Sequence, residues 1–285
     1  MRLVSFVWRE KSVAGLLNAT QDQIFPLEEA GYSDALSFIA AGEHVWDAAA
    51  SRAKAASQET LISLSRVQLL SPLPRPGKIL CVGLNYRDHA IESKMELPTV
   101  PAVFTKFSNA VTGHGANVVI PKMTQQADYE AEMAVVIGKT ARRVDAKNWQ
   151  EYVFGYTILN DVSARDVQLS TSQWSLGKSF DTFAPIGPAI VTKDEITDPH
   201  VLDIKLSIDG EVLQHSNTRE LIFKVPDLIA YLSSVVTLEP GDVISTGTPA
   251  GVGFGRTPQR WLRAGETMTV VVEDIGTLTN HIVAE

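Results

Sequence analysis

The chain holds a single cysteine, Cys81, in 285 residues. That excludes an internal disulfide framework and a cysteine-based zinc ribbon. Long apolar runs are missing as well. None approaches the roughly 18 residues a membrane span needs, and the opening MRLVSFVWREK carries too short an apolar stretch for a signal peptide. The expectation is a cytoplasmic protein with no membrane partner. Basic blocks are also absent: Lys plus Arg number 25 against 33 Asp plus Glu, a formal charge of −8. Such a balance argues against nucleic acid as a partner. What remains is 45% hydrophobic and 20% charged, ordinary for a globular protein that buries a sizeable core.

Proline and glycine are scarce in one part only. Residues 1–71 contain one proline, Pro26, and three glycines, whereas the remaining 214 contain thirteen prolines and sixteen glycines. The change falls at Ser71-Pro72-Leu73-Pro74-Arg75-Pro76-Gly77, which reads as an extended linker. Residues 1–71 are therefore expected to form a small α/β accessory domain, with a strand at 3–8 and an Ala-rich helical stretch at about 32–56. Residues 72–285 are expected to form the catalytic domain. There, short β-branched or apolar runs dominate: 78–82, 102–106, 117–120, 131–137, 156–159, 189–191, 204–208, 243–245 and 267–272. Asp209-Gly210 between alternating runs predicts a hairpin. One helix is expected at 225–238, with Pro226 in its first turn. Regular strand–helix alternation is missing, which rejects a doubly wound sheet or a TIM barrel. The predicted class is mainly β (α+β), folded as a sandwich or roll.

Common catalytic templates fail. Gly177-Lys178-Ser179 lacks the glycine five residues upstream that a phosphate-binding loop requires, since position 172 is Ser. No G-x-S-x-G nucleophile elbow occurs. Cys81 has no activating cationic motif beside it and reads as a buried small residue.

One segment is rich in chemistry. In Asp128-Tyr129-Glu130-Ala131-Glu132, leading into an apolar run, Glu130 and Glu132 share one strand face at roughly 6.5–7 Å. Paired carboxylates entering a core need a cation or a proton between them; a solvated strand face is the alternative. Asp161, after the apolar run ending at Leu159, is a third acid, or else a turn cap. Three carboxylates without clustered Cys or His suit Mg²⁺ or Mn²⁺. In Asn85–Glu92, a helical turn brings His89 and Glu92 together at i and i+3, the arrangement of an oriented general base, or a surface pair. Lys178 could stabilise an oxyanion or simply snorkel. The loop Ser245–Gly253 offers hydroxyls and amides to a small carboxylate, or is only a tight turn.

Taken in order, Asn-Tyr-x-x-His-x-x-Glu (85–92), Glu-x-Glu (130–132), Asp-Val-Ser-Ala-Arg-Asp-Val-Gln (161–168), Gly-Lys-Ser-Phe-Asp-Thr-Phe (177–183) and Thr-Gly-Thr-Pro-x-Gly-Val-Gly (246–253) resemble the catalytic domain of the fumarylacetoacetate hydrolase superfamily. The resemblance implies a mixed β-sandwich roll, a homodimer, and one Mg²⁺ or Mn²⁺ per active site on Glu130, Glu132 and Asp161. It implies His89 and Glu92 as a water-activating dyad on a short lid and Lys178 as the enolate-stabilising group. Arg165, Gln168 and Thr248 would contact the 2-oxo-carboxylate end of the substrate. Longer members carry a further acid before the lid His; Val82-Gly83-Leu84 stands there instead, so three protein ligands are expected. The implied reaction is hydrolysis of a C–C bond in a β-diketo acid of the acylpyruvate, fumarylpyruvate or maleylpyruvate type, giving pyruvate and a carboxylic acid. Oxaloacetate decarboxylation or 2-hydroxy-dienedioate isomerisation on the same site are alternatives, with pocket residues between Met95 and Phe107 deciding among them. A non-catalytic binding protein is a further alternative.

Overall fold

The strand Ala131–Ile137 is buried at every position, as is its antiparallel partner Val153–Asn160. A strand buried on both faces must lie between two apolar layers, and this pair does. Met133, Val135 and Ile137 enter one core; Ala134 and Val136 enter the other. These strands are central in a large mixed sheet. Val153–Asn160 pairs on its far side with Ala184–Thr192, and Ala131–Ile137 with Val243–Ser245. Val243–Ser245 runs parallel to Ile79–Gly83, which pairs with Ala102–Lys106. This computed structural model describes residues 1–92 and 96–285, so Met95 lies outside the described residues.

The first core is closed by a second, five-stranded sheet built on Asp203–Ile208, Glu211–Asn217, Thr267–Val272, Gly276–Ala284 and Asn117–Ile120. The helix Val225–Val235 adds Leu228, Ile229 and Leu232 to the same core. Its C-terminal end falls three residues short of the predicted one. The hairpin at Asp209-Gly210 forms, with Ile208 opposite Glu211 and both turn residues at positive φ. Two stacked sheets with few helices confirm a mainly β, α+β sandwich-like roll and exclude the doubly wound and barrel alternatives.

The N-terminal residues join this architecture directly. Strand Arg2–Trp8 pairs with Ala184–Thr192 through Leu3 and Ile190, so residues 1–71 extend the large sheet. The Ala-rich stretch divides at Gly42 into helices Ala35–Ala40 and Glu43–Ala55. Phe38, Ile39, Trp46 and Ala49 fill the second core beside Ala134, Val136 and Phe154. The Trp46 and Phe154 rings meet edge to face at 4.7 Å. Strands Lys11–Leu17 and Gln23–Pro26 complete that edge.

Candidate metal centre and active site

The three sequence-predicted acids converge. Ala131 pairs with Asn160, which sets the chain just before one strand against the chain just after the other, and Asp161 N–H donates to the Glu130 carbonyl at 2.8 Å. Glu130 itself precedes the strand by one residue but keeps the face of Glu132. One carboxylate oxygen from each of Glu130, Glu132 and Asp161 lies within 4.8 Å of the others, all three residues buried.

Cations surround two of the three. Lys178 Nζ donates to Glu130 Oε2 at 2.8 Å and Asp161 Oδ2 at 3.0 Å. Arg165 Nη2 bridges Glu130 Oε1 at 2.6 Å and Asp128 Oδ2 at 2.8 Å. Lys106 Nζ holds Asp161 Oδ1 at 2.6 Å. Glu132 is different: among the described residues it has no ion pair, and its Oε2 accepts only from Ser245 Oγ at 2.5 Å and Gly247 N at 2.8 Å. Burial, together with the neighbouring Asp161 and Glu130 carboxylates, raises the Glu132 carboxyl well above its ordinary value. Burial alone would raise Glu130 too, but Lys178 and Arg165 bring it down to about 2. Burial likewise opposes the charge on Lys178, yet Asp161 and Glu130 carry its ammonium above the usual range. An all-oxygen donor set with one unneutralised buried carboxylate fits a hard divalent cation.

His89 and Glu92 lie on the helix Arg87–Glu92, as the spacing predicted, with Nδ1 3.1 Å from Glu92 Oε2. Glu92 also accepts from Gly251 N at 3.0 Å, which ties this helix to the loop following Val243–Ser245. A surface pair is excluded, since both side chains line the cavity described below. Lys178 is 2% exposed, which removes the snorkelling alternative.

The loop's amides serve protein carboxylates instead of presenting themselves to a free ligand. Gly247 N reaches Glu132, Gly251 N reaches Glu92, and Gly253 N and Phe254 N reach Asp128. Gly247 is needed here. Its φ is +101°, and a Cβ would lie 2.8 Å from that of Asn85. Thr248 lines the cavity while its hydroxyl accepts from Gln214 Nε2 at 2.9 Å. Arg165 and Gln168 are linked at 3.0 Å through Nη1 and Oε1. Cys81 is wholly buried beside the site, and burial, then Asp161 and Glu132, push its thiol up.

Lys106, Asp128 and Gln214 belong to the site without a role assigned from sequence, and the Ser245 hydroxyl, expected to serve a small carboxylate ligand, donates to Glu132 instead. Asp128 was visible as an acid beside Glu130, but its partners lie 37 and 125 residues away. Lys106 looks like the ordinary polar end of an apolar strand until its contact with Asp161, 55 residues on, is known.

Eight of the polar side chains line one cavity of about 490 Å³, while Asp161 is wholly buried and is not part of its lining. His89, Glu92, Glu130, Glu132, Arg165, Gln168, Lys178 and Thr248 form its polar part. Phe104 supplies part of the wall from the stretch expected to tune specificity.

Comparison with known proteins agrees with this geometry. A family model described as Fumarylacetoacetate (FAA) hydrolase C-terminal matches residues 78–283. The mitochondrial oxaloacetate tautomerase Fahd2a of Rattus norvegicus is 45% identical over 249 residues, covering 87% of this chain and 79% of that one. The fumarylacetoacetate hydrolase of psychrophilic Exiguobacterium antarcticum superposes with a TM-score of 0.87 at 34% identity, covering 100% of both chains. A maleylpyruvate hydrolase from Sphingobium sp. SYK-6, solved with manganese(II) and pyruvate, gives 0.84 at 31% identity over 100% of this chain and 99% of that one. Hydrolysis, the reaction expected from sequence, is thus one of at least two activities named among similar proteins. With its acidic triad, roll fold and ordered motifs, this chain belongs to the fumarylacetoacetate hydrolase family.

Proposed function

We propose that this chain is a divalent-metal-dependent enzyme that enolises a 2-oxo acid. Keto–enol tautomerisation of oxaloacetate is its leading reaction, and hydrolytic C–C cleavage of an acylpyruvate is the second. One observation carries the enolisation reading: Glu130 and Glu132 of a carboxylate triad suited to a cation, the buried Lys178 ammonium and the His89–Glu92 pair line the same cavity, with Asp161 buried against Lys178. Oxaloacetate leads because a tautomerase of that substrate shares 45% identity with most of this chain. The intact His89–Glu92 pair supports hydrolysis, as does likeness to a maleylpyruvate hydrolase.

Mg²⁺ or Mn²⁺, one per site on Glu130, Glu132 and Asp161, would supply Lewis acidity toward a chelating carboxylate and 2-oxo oxygen. Arg165, Gln168 and Thr248 would hold that end of the substrate. Lys178 presents N–H donors where negative charge develops on the 2-oxo oxygen. Glu92 fixes Nδ1 of His89, leaving Nε2 to take the proton from C3. In the hydrolytic reaction the same nitrogen would deprotonate the attacking water. We also propose a homodimer, in which a partner would cover exposed Ile91 and Leu176.

The test is a substrate panel of oxaloacetate, an acylpyruvate, fumarylpyruvate and maleylpyruvate, each with EDTA and with added Mg²⁺ or Mn²⁺. Metal-dependent conversion of enol to keto oxaloacetate without pyruvate release supports the tautomerase. Pyruvate with one equivalent of a second acid supports the hydrolase, and pyruvate from oxaloacetate alone supports decarboxylation. Bound metal with silence across the panel would contradict the proposal in favour of a binding protein.

A further inference from the structure

The cavity lining is apolar as well as polar. Its apolar wall includes Val82, Leu84, Phe104, Leu169, Trp174 and Val252. Phe104 and Trp174 meet edge to face with centroids 5.5 Å apart. The indole is seated by a missing side chain: a Cβ on Gly83 would lie 2.7 Å from Trp174 Cζ3. Gly83 thus permits an aromatic surface at the end of the strand Ile79–Gly83, in the cavity that Glu130 and Glu132 also line. The two described cations of the lining, Arg165 and Lys178, form ion pairs with Asp128, Glu130 and Asp161, and Lys178 Nζ also lies 4.9 Å over the Phe104 ring. A volume near 490 Å³ is several times what a four-carbon diacid fills.

We infer that this apolar wall, with the Phe104–Trp174 pair at its centre, is a subsite for a flat aromatic group carried on C3 of a 2-oxo acid, which makes arylpyruvates ligands and substrates of the enzyme. The 2-oxo-carboxylate end lies at the triad, and the ring packs against Trp174 and Phe104, where edge-to-face contact adds to the burial of its surface. Turnover of such compounds rests on the enolisation proposed above; their binding does not.

The experiment is calorimetric titration of the Mn²⁺-loaded full chain with phenylpyruvate, pyruvate and 2-oxoglutarate. Phenylpyruvate should bind about tenfold more tightly than pyruvate, from burial of one ring. 2-Oxoglutarate should gain nothing over pyruvate. Trp174→Ala and, separately, Phe104→Ala should each erase most of the aryl gain while pyruvate affinity stays within about twofold, which also reports that the fold is intact. Equal affinity for phenylpyruvate and pyruvate, an aryl gain that survives both variants, or tightest binding by the diacid would overturn the subsite. Tight phenylpyruvate binding with no acceleration of its enolisation would sustain the subsite and overturn the enolisation reading.

Discussion

The Lys106 ammonium lies 2.6 Å from Oδ1 of Asp161, and both side chains are wholly buried. Lys106 also donates to the Val162 carbonyl at 3.0 Å, so it fixes one carboxylate oxygen and leaves Oδ2 toward Lys178 and the triad. Lys106→Met removes one partner of a buried pair and should destabilise the metal-free protein by about 3–5 kcal/mol. Manganese affinity should fall as well, because the carboxylate loses its orientation. Denaturant unfolding with EDTA, paired with calorimetric metal titration, checks both. Wild-type values for the variant would show the pair to be incidental.

Glu132 and Glu130 predict opposite acid responses. The Glu132 carboxyl is raised by burial and by its like-charged neighbours, so its contribution to metal-free stability is greatest when protonated and is lost as pH rises through its folded value. Glu130, brought down to about 2 by Lys178 and Arg165 against the cost of burial, stabilises above its ordinary 4.5 and loses that contribution as pH falls toward 2. Glu132→Gln should therefore make the metal-free protein more stable than wild type at neutral pH, with the gain shrinking toward acid. Thermal melts across pH in EDTA read this directly, and a loss at neutral pH would refute it.

His89→Ala should lower turnover by roughly 10²–10⁴-fold while metal content is unchanged, since the imidazole is hydrogen-bonded to Glu92 and is not one of the three candidate ligands. Glu92→Gln removes the charge that orients Nδ1 and should cost less. Full activity in the His89 variant would remove it as the base.

Much of the site was legible because its residues lie in short local patterns. Glu130 and Glu132 two apart before an apolar strand, and His89 and Glu92 three apart on a helical turn, meet through secondary-structure periodicity alone. Lys106 and Asp128 were not legible, because their partners lie on distant segments, and Ser245 was legible only as a loop hydroxyl, its place beside Glu132 being set by the pairing of Ala134 with Ser245. The strands 131–137, 243–245 and 267–272 matched their sequence boundaries because continuous apolar or β-branched runs define them. Gly276–Ala284 was missed: threonines and Asn280 dilute its pattern, although Leu278, Asn280 and Ile282 are buried. The Pro-rich boundary at 72 was visible, whereas the packing of Trp46 on Phe154 across it was not.

That packing yields a further prediction. Trp46→Ala should cost about 3–5 kcal/mol, as for other large-to-small core substitutions. Cleavage in the Pro72–Pro76 segment followed by separation should leave 72–285 with Ala134, Val136 and Phe154 uncovered, and the fragment should aggregate. A soluble, fully active fragment would show residues 1–71 to be dispensable.

The most direct measurement is the rate at which enol oxaloacetate converts to the keto form, followed by its ultraviolet absorbance, for wild type, Glu132→Gln and Asp161→Asn, each with EDTA or Mn²⁺. The account predicts acceleration by the metal-loaded wild type that chelation abolishes and that both variants lack, while the variants retain folded melting transitions. Equal acceleration in EDTA, or undiminished rates in folded variants that bind no metal, would contradict it.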